Sequence, residues 1–396
     1  MQSADTTSSS STPRIAIVRQ KYRVDGGAER FVDNLLGVFE QHHFDVTLVA
    51  RDWNQEASFE AIRCNPPAPG RILRDWGFSV AVGRALRKQH FDLVQSHERL
   101  VCSSEFDIYR AGDGVHREWL KQRGRIQSWY AQWATHLHPY HWYTRYAEKK
   151  LFESSHLKAV ICNSRMVRDE ILNHFTISPN KLHVIYSGVD TQRFHPSVVQ
   201  HRHSIRQRYS VPEDTPLFLM VGSGFVRKGV PITIEAISTI PNAQLMIVGK
   251  DKNMGRYHKL ATQLAAGRVH FAGVQDDVRP FYGAADALIL PALYDPLPNV
   301  LLEAMACGLP VVTSTKCGGA ELIEQGRCGE VCDALDAHGL STAINKLRDR
   351  NLSATMGRAA RATIEPHSLV AMRQQLSNFY LRLLEIGDNN LTRKCA

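Results

Sequence analysis

The sequence has 396 residues, which is enough for two ordinary domains, each with its own hydrophobic core. Apolar residues make up 43% and charged residues 22%, as in globular proteins, so a fibrous or wholly disordered chain is excluded. No stretch approaches the roughly 20 apolar residues that span a bilayer. The formal charge of +9 favours an acidic partner, which would be nucleic acid, an anionic membrane or a phosphorylated substrate.

The N-terminus and the cysteines indicate the compartment. Residues 1–13 are rich in Ser and Thr and lack a basic and then apolar signal pattern, so we expect a disordered leader on a cytoplasmic protein. Cys328 and Cys332, with Cys317 nearby, have the spacing of half a metal site. No second pair completes that site, so reduced, buried thiols are favoured over zinc.

In the first half of the chain, short apolar runs alternate with helical patterns. This alternation is typical of a parallel sheet covered by helices. The predicted strands cover 14–18, 45–50, 91–94, 106–109, 158–162 and 182–186, and the predicted helices cover 28–40, 80–90 and 165–174, the last capped by Ser164.

The pattern pauses over the turn-rich residues 187–214, where a charged helix is predicted at 198–209, and then restarts. Further strands are predicted at 216–222, 244–249, 269–271, 287–291, 309–313 and 329–331. We therefore predict two doubly wound domains, over 14–190 and 191–365, and a last helix over 366–386 that crosses back to the first domain. Ligands of such sheets bind beyond the carboxyl ends of the strands, so two facing sheets would collect their loops in one cleft.

One stretch, Asp295 to Gly308, combines two acids with the start of a helix. Asn299 is placed to cap this helix, with Asp295 before it and Glu303 about one turn inside it. The free N–H groups at the positive end of a helix dipole bind an anion, and carboxylates bind hydroxyl groups. A phosphorylated sugar carries both.

A second loop, Gly222 to Gly229, begins like a dinucleotide fingerprint, but Arg227 replaces the third glycine. Arg227 and Lys228 are predicted at a helix start, where basic side chains are unfavourable unless an anion binds. We expect them to neutralise a diphosphate and to stabilise it as it departs. The alternative is a simple turn with surface charges.

Two further loops carry candidate residues. Gly26 and Gly27 lie between a strand and a helix, where the backbone can approach a ligand, although a flexible turn is equally compatible. Asp113, between two glycines at a strand end, is a candidate to take or orient a proton from an acceptor. A solvated turn aspartate is the alternative.

Taken in order, these motifs resemble a known family. The Asp295-x7-Glu303 spacing is similar to the E-x7-E motif of retaining glycosyltransferases of family 4, and the resemblance extends over residues 14–385. Within that family, residues 221–230 and 248–252 are most similar to lipopolysaccharide core glucosyltransferases of the WaaG type. The other matching motifs are Gly26-Gly-Ala-Glu29, Ser187-Gly-Val-Asp-Thr-Gln-Arg-Phe194, Arg227-Lys-Gly229, Glu303 to Val312 and Gly318-Gly-x-Glu321.

The resemblance implies an α/β, GT-B fold, in which two Rossmann-like doubly wound domains face each other across a cleft. It implies that Glu303 binds the ribose hydroxyls of the donor and that Asp295 binds a hydroxyl of the donor sugar. The remaining implied contacts are the N–H groups of Asn299 and Val300 with sugar or phosphate, Arg227 and Lys228 with the diphosphate, Gly26 and Gly27 close by, and Val274 beside the base.

The sequence departs from the family pattern at two positions. Asp295 replaces the usual first Glu, which shortens the reach of the carboxylate by one methylene group. Pro298 removes one N–H from the anion-binding loop.

The resemblance also implies transfer with retention and without a covalent nucleophile, and no acid pair resembles that of a glycosidase. The sequence contains no Asp-x-Asp metal-diphosphate motif. We therefore expect a metal-independent enzyme without a cofactor, in which Arg227, Lys228 and helix dipoles neutralise the charge.

Residues 116–150 mix basic residues with Trp and Tyr. Such a segment suits an anionic bilayer surface, where aromatic rings lie among the headgroups. The alternatives are a core-packing insertion with a solvated basic face, and a surface for single-stranded nucleic acid. A lipid-anchored acceptor favours the membrane.

These observations lead to one expected function. The chain is expected to be a hexosyltransferase that moves glucose from UDP-glucose to a heptose of the lipopolysaccharide inner core, on the inner face of the bacterial inner membrane and without binding nucleic acid. Transfer to another glycolipid or polysaccharide precursor is one alternative. A non-catalytic, membrane-bound scaffold that binds a sugar nucleotide is another.

Overall fold

The structure is a computed structural model that describes residues 12–22, 29–53 and 59–392. Contacts divide the chain into two compact units. The first comprises residues 1–110, 138–160 and 373–396, and the second comprises residues 111–137 and 161–372. The predicted domain limits are not tested by this division and stay predictions.

A seven-stranded sheet is built from the strands of the first half of the chain. Its order is β3-β2-β1-β4-β5-β6-β7, and β1 pairs in parallel with both β2 and β4. This is the order of a doubly wound Rossmann-like sheet. The strands are β1 (Arg14–Tyr22), β2 (Asp45–Trp53), β3 (Glu60–Arg63), β4 (Leu93–Ser96), β5 (Ile108–Ala111), β6 (Ala159–Cys162) and β7 (Leu182–Val184).

The helices of this half connect successive strands. Ser164 caps the N-terminus of the helix that follows β6, because its hydroxyl accepts from the N–H of Val167, as predicted. The helices are α1 (Glu29–Gln41), α2 (Gly70–Leu86), α3 (His116–Gly124), α4 (Trp129–Leu137), α5 (Pro139–Phe152) and α6 (Arg165–His174).

The second unit contains a six-stranded sheet of order β10-β9-β8-β11-β12-β13, and all of its pairings are parallel. Alternate residues of the central strand β8 face two different apolar cores, Leu219 one of them and Phe218 the other. Both faces of the sheet are therefore covered, as parallel sheets require. The strands are β8 (Leu217–Val221), β9 (Gln244–Val248), β10 (Val269–Gly273), β11 (Ala287–Leu290), β12 (Val311–Ser314) and β13 (Gly329–Cys332).

The last helices complete the chain. From Arg373 onward the final helix belongs to the first unit, where the ring of Tyr380 packs against Phe39 with centroids 4.8 Å apart. The helices are α7 (Arg202–Arg208), α8 (Phe225–Lys228), α9 (Val230–Ser238), α10 (Met254–Ala265), α11 (Arg279–Ala284), α12 (Asn299–Ala306), α13 (Ala320–Gly326), α14 (Ala337–Lys346), α15 (Arg350–Ile364) and α16 (Leu369–Thr392).

Several predicted elements differ from the observed ones. Strand β3 was not predicted, α2 begins at residue 70 instead of 80, and the segment predicted as a helix at 198–209 starts as a 3-10 turn over Pro196–His201. Asn299 does not cap α12. The cap position is Pro298, which has no side-chain hydrogen bond to offer, and Asn299 is already the first helical residue.

The described residues were also compared with the requirements of a membrane span and of a metal site. None of the described helices is long and apolar enough to cross a membrane. In the same part of the chain, no group of three or more His, Cys, Asp or Glu side chains could hold a metal ion, and the seven described cysteines are free thiols.

A buried arginine lies at the edge of the apolar core that contains Leu219. Arg206 on α7 is fully buried, and its guanidinium donates to Asp286 at 2.9 Å. It also donates to the carbonyl oxygens of Ala284, Pro212 and Thr215 at 2.8–3.0 Å. These bonds satisfy the buried guanidinium and connect α7 to residues 212–215 and 284–286.

We therefore expect Arg206→Met to lower the free energy of unfolding by about 1.5–3 kcal/mol, because Asp286 and three carbonyl groups lose a charged hydrogen-bond donor. Urea denaturation followed by circular dichroism measures this loss. The control is Arg208→Met, which removes an exposed arginine from the same helix and should change stability by less than about 0.5 kcal/mol. Equal losses in the two variants would contradict this role of Arg206.

Candidate active site

The loop after β11 carries Asp295 and is held by backbone hydrogen bonds. The N–H of Asp295 donates to the carbonyl of Lys316 at 3.0 Å, and its own carbonyl accepts from the N–H of Gly318 at 2.8 Å. A Cβ atom at position 318 would overlap the carbonyl oxygen of Pro296. The Gly318-Gly-x-Glu321 motif therefore allows the loop after β12 to approach the Asp295 loop closely.

The carboxylate of Asp295 binds two cations. Its Oδ2 atom lies 2.7 Å from Lys228 Nζ and 2.6 Å from an Nη atom of Arg227. Asp295 and Lys228 are buried, whereas Arg227 is partly exposed. Burial alone would raise the pKa of Asp295, but the charges of Lys228 and Arg227 outweigh burial and hold this pKa below its ordinary value. Asp295 is therefore an ionised acceptor at neutral pH.

Arg227 and Lys228 lie between two helices. They end the one-turn helix α8, and the next residue, Gly229, is the cap residue of α9, so the basic pair directly precedes a helix start. The anion that binds this pair in the structure is the carboxylate of Asp295. Asp251, from the loop after β9, accepts from the N–H of Phe225 at 2.9 Å and thereby holds the start of α8.

Three loops lie side by side at the carboxyl edge of the second sheet. The N–H of Gly222, after β8, donates to the carbonyl of Val248, and the N–H of Gly249, after β9, donates to the carbonyl of Gly273. Val274 follows directly and is exposed. This edge is where doubly wound sheets bind ligands.

Glu303 has a separate set of partners. It is buried on α12, and its Oε2 lies 2.9 Å from the hydroxyl of Tyr282, which also lies 3.3 Å from the carbonyl oxygen of Val300. Asn299 and Val300 form the first turn of α12, whose cap residue Pro298 has no side-chain hydrogen bond. Glu303 is thus fixed by Tyr282. It lies outside the ion cluster of Asp295, which consists of Asp295, Arg227 and Lys228.

The loop that carries Asp113 contacts the Asp295 loop within the second unit. Asp113 itself is exposed. The N–H of Val115 donates to the hydroxyl of Tyr294 at 2.8 Å, and a Cβ atom at position 114 would overlap that hydroxyl. Gly114, with φ +67°, therefore lets the Asp113 loop lie against residue 294, next to Asp295.

Sequence reasoning did not identify a second charged cluster, which lies beside this contact and consists of Glu118, Glu170, His174, Tyr294 and Lys316. Glu118 and Glu170 are buried, and each binds the ammonium group of Lys316. No sequence spacing signals the cluster, because its members come from separate elements. Of the other predicted residues, Gly26 and Gly27 lie outside the described part of the chain.

Family models match both halves of the chain. Residues 25–193 match the model described as Glycosyltransferase Family 4, and residues 201–363 match the model described as Glycosyl transferases group 1. Together these matches cover about four-fifths of the chain. A crystal structure of WaaG, a glycosyltransferase involved in lipopolysaccharide biosynthesis, superposes with a TM-score of 0.74 and 25% identity over 92% of this chain and 99% of that one.

The chain is a GT-B glycosyltransferase of the WaaG type. The predicted family, fold class and enzyme class are therefore confirmed. The arrangement of Asp295, Arg227 and Lys228 lies in the half that matches the group 1 model.

Curated relatives extend the comparison. The chain is 27% identical to the lipopolysaccharide glucosyltransferase WaaG of Escherichia coli over 80% of this chain and 84% of that protein. It is 34% identical to the lipopolysaccharide core biosynthesis glycosyltransferase LpsE of Rhizobium meliloti over 45% of this chain, and the match spans about half (52%) of LpsE. HepE of Anabaena, solved with UDP-glucose, shares the fold, with a TM-score of 0.72 and 20% identity over 93% of this chain and 99% of that one.

The ion cluster makes the stability of this glycosyltransferase depend on pH. The pKa of Asp295 is lower in the folded than in the unfolded chain, so its ionised form stabilises the fold above the unfolded pKa of about 3.9. The contribution is lost as the pH falls through the folded-state pKa. Asp295→Asn should lower the free energy of unfolding by about 3–5 kcal/mol at pH 7, because Lys228 stays buried without its counter-charge.

The measurement is urea denaturation of wild type and variant between pH 3 and 7. The difference between them should be constant at neutral pH and shrink towards acid. Asp169→Asn, which removes an exposed carboxylate in the same unit, is the control and should change little. A difference that grows towards acid would contradict the assigned charge state.

Proposed function

We propose that this glycosyltransferase moves glucose from UDP-glucose to a heptose of the lipopolysaccharide inner core, with retention of configuration and without a metal ion. The observation that carries the proposal is the joint binding of Asp295 by Arg227 and Lys228 at the carboxyl edge of a Rossmann-like sheet. The similarity to a lipopolysaccharide glucosyltransferase over 84% of that protein supports the donor and acceptor classes.

The charges of the cluster suit a diphosphate. Two cations share a single carboxylate, so the cluster keeps a net charge of one positive unit. Lys228 is buried, and its attraction for an anion is therefore only weakly screened by solvent. A bound diphosphate would offset this charge. The side chain of Arg227 is 38% exposed, so it is able to contact a diphosphate from the solvent side.

Asp295 keeps an oxygen for the donor sugar. Both cations contact Oδ2, so Oδ1 is the atom we expect to accept a hydrogen bond from a sugar hydroxyl. The lowered pKa keeps this carboxylate ionised and therefore an acceptor. Because Asp is one methylene shorter than Glu, the sugar would have to lie closer to the loop than a Glu at this position requires.

Transfer would proceed by stabilising the departing diphosphate. As the bond between the anomeric carbon and the phosphate oxygen breaks, negative charge grows on that oxygen, and Arg227 and Lys228 stabilise it without reorganisation. The acceptor hydroxyl gives up its proton as the new glycosidic bond forms. We assign Asp113 to orient this hydroxyl and the departing phosphate to assist in taking its proton.

The rest of the donor would extend along the same edge. We assign Glu303, held by Tyr282, to the ribose hydroxyls, and Val274 to the base. The N–H groups of Asn299 and Val300, in the first turn of α12, would approach sugar or phosphate. The role of Gly26 and Gly27 stays a prediction from the family resemblance.

Helix α4 supports a membrane location for the acceptor. None of its residues is buried, and it exposes Trp129, Tyr130 and Trp133 by 63–81%. Exposed indole and phenol rings are typical of surfaces that lie among lipid headgroups, and the basic residues of α3 would attract anionic lipid. We therefore assign the enzyme to the inner face of the bacterial inner membrane, as a peripheral protein.

A donor panel tests the reaction. Truncated lipopolysaccharide cores serve as acceptors, EDTA is present throughout, and release of UDP, GDP and ADP is measured. We expect acceptor-dependent UDP release from UDP-glucose. Lys228→Met should lower kcat by about 10²–10³-fold because it removes a charge that stabilises the leaving group.

Lys346→Met is the matched control, since Lys346 forms an exposed pair with Glu330 in the same unit and should leave kcat unchanged. A preference for a GDP or ADP sugar would contradict the donor assignment. Sugar-nucleotide binding without any acceptor-dependent release would favour the non-catalytic scaffold.

Vesicle flotation tests the membrane assignment. Replacing both Trp129 and Trp133 by Ser should reduce binding to vesicles that contain phosphatidylglycerol by about tenfold or more, because two exposed indole rings that would enter the headgroup layer are lost. The control Leu264→Ser changes a partly exposed apolar residue of α10 in the same unit. Equal flotation with purely zwitterionic vesicles, or an unchanged double variant, would contradict the assignment.

A further inference from the structure

The second charged cluster, defined above as Glu118, Glu170, His174, Tyr294 and Lys316, has no role in the reaction described so far. Its members come from α3, α6 and the loops after β11 and β12, all within the second unit. The loops after β11 and β12 also hold Asp295 in place. The cluster therefore connects the donor side of the proposed reaction with the loop that carries Asp113.

Lys316 contacts both the Asp295 loop and helix α3. Its backbone carbonyl accepts from the N–H of Asp295 at 3.0 Å. Its ammonium group lies 2.9 Å from Glu170 Oε1 and 3.2 Å from Glu118 Oε2. Glu118 belongs to α3, the helix that begins three residues after Asp113, and its other oxygen lies 2.7 Å from His174. One residue thus links the Asp295 loop to the start of α3.

Tyr294 makes a second link of the same kind. Its hydroxyl donates to Glu170 Oε2 at 2.7 Å and lies 2.8 Å from the N–H of Val115, from which it accepts. Its carbonyl oxygen lies 3.5 Å from an Nη atom of Arg227. Since Val115 is two residues from Asp113, the hydroxyl of Tyr294 fixes the distance between that loop and the ion cluster of Asp295.

Stability alone does not account for these charges. Replacing a buried ion network by apolar groups of similar size is often neutral or stabilising, so a gain in folding free energy is a weak explanation for this network. Its physical effect is a fixed geometry, because each partner accepts only a narrow range of distances and angles. Arg125, at the end of α3, forms a bidentate pair with Asp333 at 2.7 and 3.0 Å and anchors the helix at its other end.

We propose that Lys316 and Tyr294 are positioning residues, which hold the Asp113 loop at a fixed distance from Asp295, Arg227 and Lys228. This inference rests on the proposed function. The acceptor hydroxyl, oriented at Asp113, is thereby kept within reach of the anomeric carbon of the donor. Neither residue touches the reacting atoms. Their loss misplaces the acceptor without removing any group that binds the donor.

The test compares transfer with hydrolysis. UDP release is measured with a truncated lipopolysaccharide core and, separately, with water as the only acceptor, and UDP affinity is measured by calorimetry. Tyr294→Phe and Lys316→Met should lower the ratio of transfer to hydrolysis by about tenfold or more, since a displacement of about 1 Å costs up to about 10²-fold in rate. Their affinity for UDP should stay within about twofold of wild type.

Two comparisons separate positioning from folding. Lys316→Arg keeps the charge and should restore most of the ratio, whereas Lys346→Met removes an exposed lysine paired with Glu330 and should not change it. If Lys316→Met fails to fold, the ratio of transfer to hydrolysis in Tyr294→Phe tests the proposal by itself. This variant removes only one oxygen atom and keeps the ring.

Parallel losses of transfer, hydrolysis and UDP affinity would overturn the positioning role, as would an unchanged ratio in Tyr294→Phe. A wild-type enzyme without acceptor-dependent UDP release would instead overturn the proposed function. The two failures are therefore distinguishable.

Discussion

A buried lysine needs a counter-charge, and Lys228 finds it in Asp295. This ion pair constrains where the loop after β11 and the end of α8 can lie. The pair forms only if the loop after β11 reaches the end of α8. Gly318 permits that approach on one side, and Asp251 holds the start of α8 on the other. Positions that look like separate motifs in the sequence are thus parts of one arrangement, which presents positive charge at the carboxyl edge of the sheet.

The same arrangement explains how a Rossmann-like sheet can serve sugar transfer. The strands supply a rigid edge, and the loops beyond it carry the chemistry. Positive charge from side chains is fixed in place before a substrate arrives, so none of it has to reorganise during the reaction. The cluster around Lys316 fixes the loop of Asp113 in the same way. The donor and acceptor sides of the proposed reaction therefore share one set of buried contacts.

The sequence predicted what depends on local pattern. Apolar runs located most strands, and the capping serine located α6 to the residue. The prediction from the sequence missed β3 because that strand has only four residues, none of them buried. The predicted start of α2 was too late because Arg71 and Arg74 obscure the helical period. The partners of Asp295 were not predictable, since Lys228 lies 67 residues away, and the Lys316 contacts span 146 and 198 residues. Motif resemblance identified Asp295, Arg227 and Lys228 as important, but only the fold shows that they bind each other.

The central claim is that Arg227 and Lys228 receive the donor diphosphate while Asp295 stays beside them. A crystal structure with a non-transferable UDP-glucose analogue measures this most directly. We expect phosphate oxygens within about 3 Å of Lys228 Nζ and of the Arg227 guanidinium, and a sugar hydroxyl on Asp295 Oδ1. A diphosphate bound elsewhere along the sheet edge, with the three side chains still paired only with one another, would contradict the account.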